Sequence, residues 1–80
     1  MDIQKGSIVR ARSGRDKDSF FVVLSVEGKY ALIADGRRRK LEQPKKKNLL
    51  HLAPTNTVYE GSIQTNPQLK RILSPFFHGG

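Results

Sequence analysis

Between Ser7 and Ala53 the apolar residues do not recur at the three- and four-residue spacing of a helix. They come in short bursts of Val, Ile, Phe and Leu, divided by Gly, Asp and Ser. That pattern commits this part of the chain to strands joined by tight turns. In Ser7–Ser13, Val9 and Ala11 share one face, and Ile8, Arg10 and Arg12 share the other. In Ser19–Val26, Phe20, Val22, Leu24 and Val26 line one face. Phe21 and Val23 make the opposite face apolar too, which predicts a strand covered on both sides for part of its length. Glu27-Gly28-Lys29 reads as a tight hairpin connection, with Gly28 free to take positive φ. Tyr30–Ala34 is the next strand, and Asp35-Gly36 is a turn signal. Lys40 and Leu41 are expected to begin a further strand, interrupted at Pro44. Asn48–Ala53 closes the series, and Pro54 ends it. Five short strands with tight turns predict a mainly β fold, a small five-stranded barrel whose closure would remove exposed edges. An open meander of the same strands is the alternative.

The remainder of the chain has a different character. Residues 1–54 are expected to form the barrel and residues 55–80 a C-terminal extension. Its first part is polar and turn-rich. Asn66 reads as a helix N-cap and Pro67 as the first helical position. Leu69, Ile72 and Leu73 then fall on one helical face, and Lys70 and Arg71 lie where the helix dipole favours cations. Pro75 is expected to stop this short helix, 67–73. A flexible tail would follow, frayed or with Phe76 and Phe77 docked on the barrel.

Many chemistries lack their residues. Cysteine is absent and histidine is limited to His51 and His78, so neither a disulfide nor a zinc site of the usual kind is available. Neither a GxxxxGK[ST] nor a GxGxxG phosphate-binding pattern occurs. Asp16, Asp18 and Asp35 lack the carboxylate count of an EF-hand loop. His51 stands between Leu50 and Leu52 without a visible catalytic partner. No enzymatic activity, metal or cofactor is therefore expected. The longest apolar run, Phe20–Leu24, is far too short to span a bilayer, and the N-terminus lacks a secretory pattern. The expected compartment is the cytoplasm.

Charge carries the functional signal. Fifteen Lys and Arg stand against seven Asp and Glu, a formal net charge of +8 at pH 7. Such an excess points to a polyanionic partner. Seven of the cations crowd into residues 34–47: Arg37, Arg38, Arg39, Lys40, Lys45, Lys46 and Lys47. Their mutual repulsion raises the energy of the compact fold, and a phosphate backbone would relieve it with counterion release. The arginines suit bidentate phosphate contacts and stacking on bases, while the three lysines read as mobile point charges near the backbone, the competing reading being a solvated loop that aids solubility. A second cluster comes from Arg10 and Arg12 on one strand face, with Arg15 and Lys17 in the adjoining loop. The expectation is one continuous basic surface built from both. The competing arrangement is two separate patches, with Asp16 and Asp18 paired to Arg15 or Lys17 of their own loop. Phe20 and Tyr30 are candidates for base stacking, although such residues more often belong to a core.

The segment Lys5-Gly6, Val9-Arg10, Ser13-Gly14, Arg15-Asp16-Lys17 and the strand to Val26 resembles the KOW motif. The following YALIADGRRRKLEQPKKKNLLHL is similar to the continuation found in large-subunit ribosomal proteins of the KOW superfamily. The likeness covers about residues 4–53. It implies an SH3-like barrel that binds structured RNA, commonly ribosomal RNA, with the large ribosomal subunit as a partner in translation. One position departs from the motif: Asp18 stands where the family usually has a glycine after the loop lysine. If that position needs positive φ, Asp tolerates it less well than Gly. Two other readings compete. One is a protein-interaction module that docks an acidic partner, anchored by Phe76 and Phe77. The other is a duplex DNA binder, which the short helix with only Lys70 and Arg71 supports poorly.

Overall fold

The computed structural model describes residues 2–78. Five strands, β1 (Ser7–Ala11), β2 (Phe20–Glu27), β3 (Tyr30–Ala34), β4 (Lys45–Asn48) and β5 (Leu52–Val58), precede one helix, α1 (Asn66–His78). A single turn of 3-10 helix, Leu49–His51, joins β4 to β5. The strands form one antiparallel sheet in the order β4-β3-β2-β1-β5. Its ladder does not close: β4 and β5 are its two edges. The mainly β fold with a C-terminal helix is as the sequence predicts, whereas a closed barrel is not what the strand pairing shows.

The face assignments read from the sequence hold in β1 and, as far as Leu24, in β2. The register with β3 then shifts between Val23 and Ser25, so Val26 pairs with Ala31 and is exposed instead of sharing the face of Phe20, Val22 and Leu24. Val9, Ala11, Phe21 and Val23 pack with Ala31, Ile33 and Leu52 in one core. Ile8 and Val22 face the other way and pack with Ala34 under Leu69 and Leu73 of α1. Both faces of β2 are thus covered over its first half, one by the cluster that includes Leu52 and the other by the helix. Leu69 and Leu73 are fully buried. Burying side chains of this size contributes about 1.5–3 kcal/mol each, enough to hold a helix of this length on the sheet. The β2–β3 hairpin turns where expected, with Glu27 opposite Tyr30 and Gly28 at φ +59°.

Other boundaries move, each for a local reason. Lys40 and Leu41 are not in a strand: the Gln43 amide closes a turn onto the Lys40 carbonyl, and β4 begins only after Pro44. Lys45, Lys46 and Lys47 are therefore strand residues, pairing with Ile33, Leu32 and Ala31. Residues 49–51 are a helical turn, not strand, and β5 runs through Pro54 to Val58. Proline is tolerated there because β5 is an edge and one side of it needs no donors. Opposite it the β1 register shifts between Ser7 and Val9, and the Thr55 hydroxyl donates to the Ile8 carbonyl at 2.8 Å.

The helix starts and ends differently from expectation. Its N-cap is Thr65, whose carbonyl accepts from the Leu69 amide and whose hydroxyl oxygen accepts from the Gln68 amide at 3.2 Å. The Gln68 side chain reaches back to the Gln64 amide at 2.8 Å, a variant of the capping box. Asn66 is thereby released from capping. Its carbonyl oxygen accepts from the Leu41 amide at 2.9 Å, and its NH2 donates to the Glu42 carboxylate. That donation, with a backbone hydrogen bond and nearby Lys40, holds the Glu42 carboxyl below its ordinary value. At the other end α1 continues through Pro75. Phe76 packs on Phe20, ring centroids 5.4 Å apart, and this contact carries the last turn past the proline. Of the expected flexible tail, residues 74–78 are helical, and Gly79 and Gly80 lie outside the described residues.

Candidate nucleic-acid interface

Strand register decides which basic residues meet. Arg10 is opposite Phe20, Val22 opposite Ala34, and Ile33 opposite Lys45. The loop between β1 and β2 (residues 12–19) and the loop between β3 and β4 (residues 35–44) therefore leave the sheet side by side. Each loop is organised by a buried aspartate. Asp35 accepts from the Arg37 and Arg39 amides at 2.8 and 2.9 Å, and its own amide donates to the Arg39 carbonyl. This Asx turn holds Arg37 and Arg38 exposed at its tip. Asp16, only 3% exposed, accepts from the Arg39 guanidinium at 3.0 Å. This ion pair bolts the two loops together across 23 residues of sequence.

The aspartates thus do not pair within their own loop. Among the described residues the ion pairs are Arg39–Asp16 and Arg10–Asp18, the latter at 2.7 Å. Arg15 and Lys17 are exposed at the surface of the first loop, as are Arg12 beside them and Lys40 in the second loop. The Arg12 amide donates to the His51 carbonyl, which ties the 3-10 turn to the end of β1. Of the predicted site residues, Arg12, Arg15, Lys17, Arg37, Arg38 and Lys40 gather around the linked loops without a carboxylate partner among the described residues. Arg39 is committed to holding the loops together.

The three lysines behave as strand residues. Direct cross-strand partners share a face, so Lys45 and Lys47 lie on the side of Ile33 and Ala31, and Lys46 on the side of Leu32. Lys47 is half-buried and its ammonium donates to the Ser13 carbonyl at 3.2 Å, reaching from the edge strand to the first loop. Lys46 stands over the Tyr30 ring, 4.8 Å from its centroid. Lys46 and Lys47 are thus held by specific contacts, which corrects the expectation of mobile point charges. A rail of positive charge results along the β4 edge.

Asp18 answers the question raised by the sequence. It sits at φ +70°, the left-handed region, so the position does require the conformation that glycine adopts freely. Replacing Asp18 by Gly relieves that strain and releases Arg10 from an exposed ion pair worth about 0–1 kcal/mol. The expected outcome is a urea midpoint that moves by no more than about 1 kcal/mol equivalent, with tighter binding to any polyanion. Equilibrium unfolding and a binding titration on the same sample check both halves.

Sequence reading places a turn at Asp35-Gly36 and offers Phe76 and Phe77 as docked residues, but it misses the Asp16–Arg39 link and the contact of Arg37 with Phe77. Phe77 is 40% exposed, and the Arg37 guanidinium lies 5.5 Å from its ring centroid. A helix interrupted at Pro75 left no means of placing it. No cluster of His, Cys, Asp and Glu able to hold a metal occurs among the described residues, and no described helix is long and apolar enough to cross a membrane. Comparison of the chain with protein-family models and with curated proteins finds no match.

Proposed function

We propose that this chain is a non-enzymatic RNA-binding module of the KOW kind, acting in the cytoplasm on structured RNA such as ribosomal RNA. One observation carries the reading. The Arg39–Asp16 ion pair joins two basic loops from different parts of the chain, so their free cations form one preorganised surface. Preorganisation matters because like charges are brought together during folding and need not be gathered again on binding. The strand order, with a 3-10 turn between β4 and β5, is compatible with a strongly bent SH3-like half-barrel. The left-handed backbone at Asp18 fits the glycine position of the KOW loop. Association with the large ribosomal subunit follows from the same resemblance and is part of the proposal.

The test is a titration against a ribosomal RNA helix across a salt series. Binding by the six unpaired cations gives a logarithmic slope of roughly −4 to −5, taking about 0.7–0.9 per phosphate contact. A flat salt dependence, or equal retention of a neutral polymer, removes the basis of the proposal.

A further inference from the structure

The C-terminal helix lies outside the KOW-like segment, yet it ends beside the basic loops. Phe76 and Phe77 differ in their surroundings there. Phe76 is half-buried against Phe20. Phe20 is the cross-strand neighbour of Arg10, so that arginine borders the same aromatic cluster. Phe77, next along the helix, is 40% exposed, and the Arg37 guanidinium lies over its ring. Arg37 in turn is held by the Asx turn of Asp35, next to Arg38. A partly exposed aromatic ring thus stands against one guanidinium, that of Arg37, whose backbone the Asx turn fixes.

We infer that Phe77 is a stacking platform for one unpaired base, with Arg37 taking the phosphate of the same strand. The RNA recognised would then carry a bulged or looped-out nucleotide beside a duplex. The inference rests on the proposed RNA-binding function and narrows its ligand. A nucleotide brings a flat π face and an anionic phosphate in one unit, the two features this spot can satisfy together. An acidic peptide matches the arginines but leaves the ring exposed. A base arriving on the ring displaces the Arg37 guanidinium, since an exposed cation–π contact is the weaker of the two interactions. The displaced guanidinium is then free to fork onto phosphate oxygens. No sequence-specific reading is required, because every base has a face to stack.

The test uses two RNA hairpins with the same stem, one fully paired and one with a single bulged 2-aminopurine. Wild-type protein is expected to bind the bulged hairpin about tenfold more tightly and to quench its fluorescence. Phe77→Leu should lose both the preference and the quenching, while keeping its helical circular dichroism and its salt-dependent binding to the paired stem. Phe77→Trp should restore both. Quenching retained in Phe77→Leu overturns the inference, and so does an equal loss on both hairpins. Competition by polyglutamate that matches RNA at equal charge, and that Phe77→Leu abolishes, overturns it in favour of an acidic protein. If neither hairpin binds wild type, the RNA-binding reading falls and takes this inference with it. Loss of the bulge preference alone leaves that reading standing.

Discussion

Gly36→Ala should cost about 3 kcal/mol or more and strip α1 from the sheet, whereas Gly28→Ala should cost only about 1 kcal/mol. Both glycines have positive φ, +79° and +59°, so each substitution carries the backbone penalty of a left-handed alanine, about 1–2 kcal/mol. Space separates them. At Gly28 a new Cβ meets nothing within 4 Å. At Gly36 it comes 2.5 Å from the Asn66 carbonyl oxygen and 3.1 Å from the Leu69 Cβ. Both are parts of the first turn of α1, so the helix must retreat, and its buried Leu69 and Leu73 lose contact with Ile8, Val22 and Ala34. A chain of 80 residues has a total stability of roughly 4–12 kcal/mol, so Gly36→Ala removes a large share of it. Urea midpoints for the two variants, with circular dichroism to follow the helix, check the contrast. Equal losses at the two positions would show that the docking of α1 on the β3–β4 turn is not what constrains Gly36.

What was legible in the sequence tracks how far each residue's environment is set by its neighbours in the chain. The alternation in β1 and in β2 as far as Leu24, the Glu27–Lys29 hairpin and the strand Tyr30–Ala34 could all be read, because a strand buried on at least one face must be apolar at every second position. The register shift that displaces Val26 could not. The edges could not. Lys45–Lys47 contains no apolar residue, and becomes a strand because β3 offers an unpaired edge with Leu32 and Ala31 to cover. Pro54 reads as a strand end and is accommodated because β5 has no neighbour on its outer side. Pro75 reads as a helix end, yet α1 runs through it, with Phe76 packed on Phe20 in the last turn, a contact with a residue far away in the chain that no local signal announces. At the candidate site the cations were visible as residue types, and the adjacency of the two loops was anticipated. The partners of Asp16 and Asp18 were not, since Arg39 and Arg10 lie 23 and 8 residues away and nothing local distinguishes them from Arg15 or Lys17.

Position, not only net charge, should govern RNA binding. Arg37→Gln, Arg38→Gln and Lys40→Gln together take the formal charge from +8 to +5 (8 − 3), and so do Lys5→Gln, Lys29→Gln and Lys70→Gln. All six side chains are exposed and outside the two ion pairs, so neither set should disturb folding. Arg39 is left intact because its guanidinium holds Asp16 and keeps the loops together. The first set removes three phosphate contacts from the linked loops. Its salt slope should flatten by about 2–3, and affinity for a ribosomal RNA helix near 0.1 M salt should fall by about a hundredfold. The second set removes no cation from either loop: Lys5 and Lys29 stand at the opposite end of the sheet and Lys70 on α1, so it should weaken binding by no more than a few-fold. A double-mutant comparison with Asp18→Gly adds a sign check: freeing Arg10 should recover part of the affinity lost by the first set, because it returns a cation to the same surface. If the two charge-matched triples weaken RNA binding alike, the attraction is a property of the whole basic surface, and the joining of the two loops by Arg39 and Asp16 has no part in it.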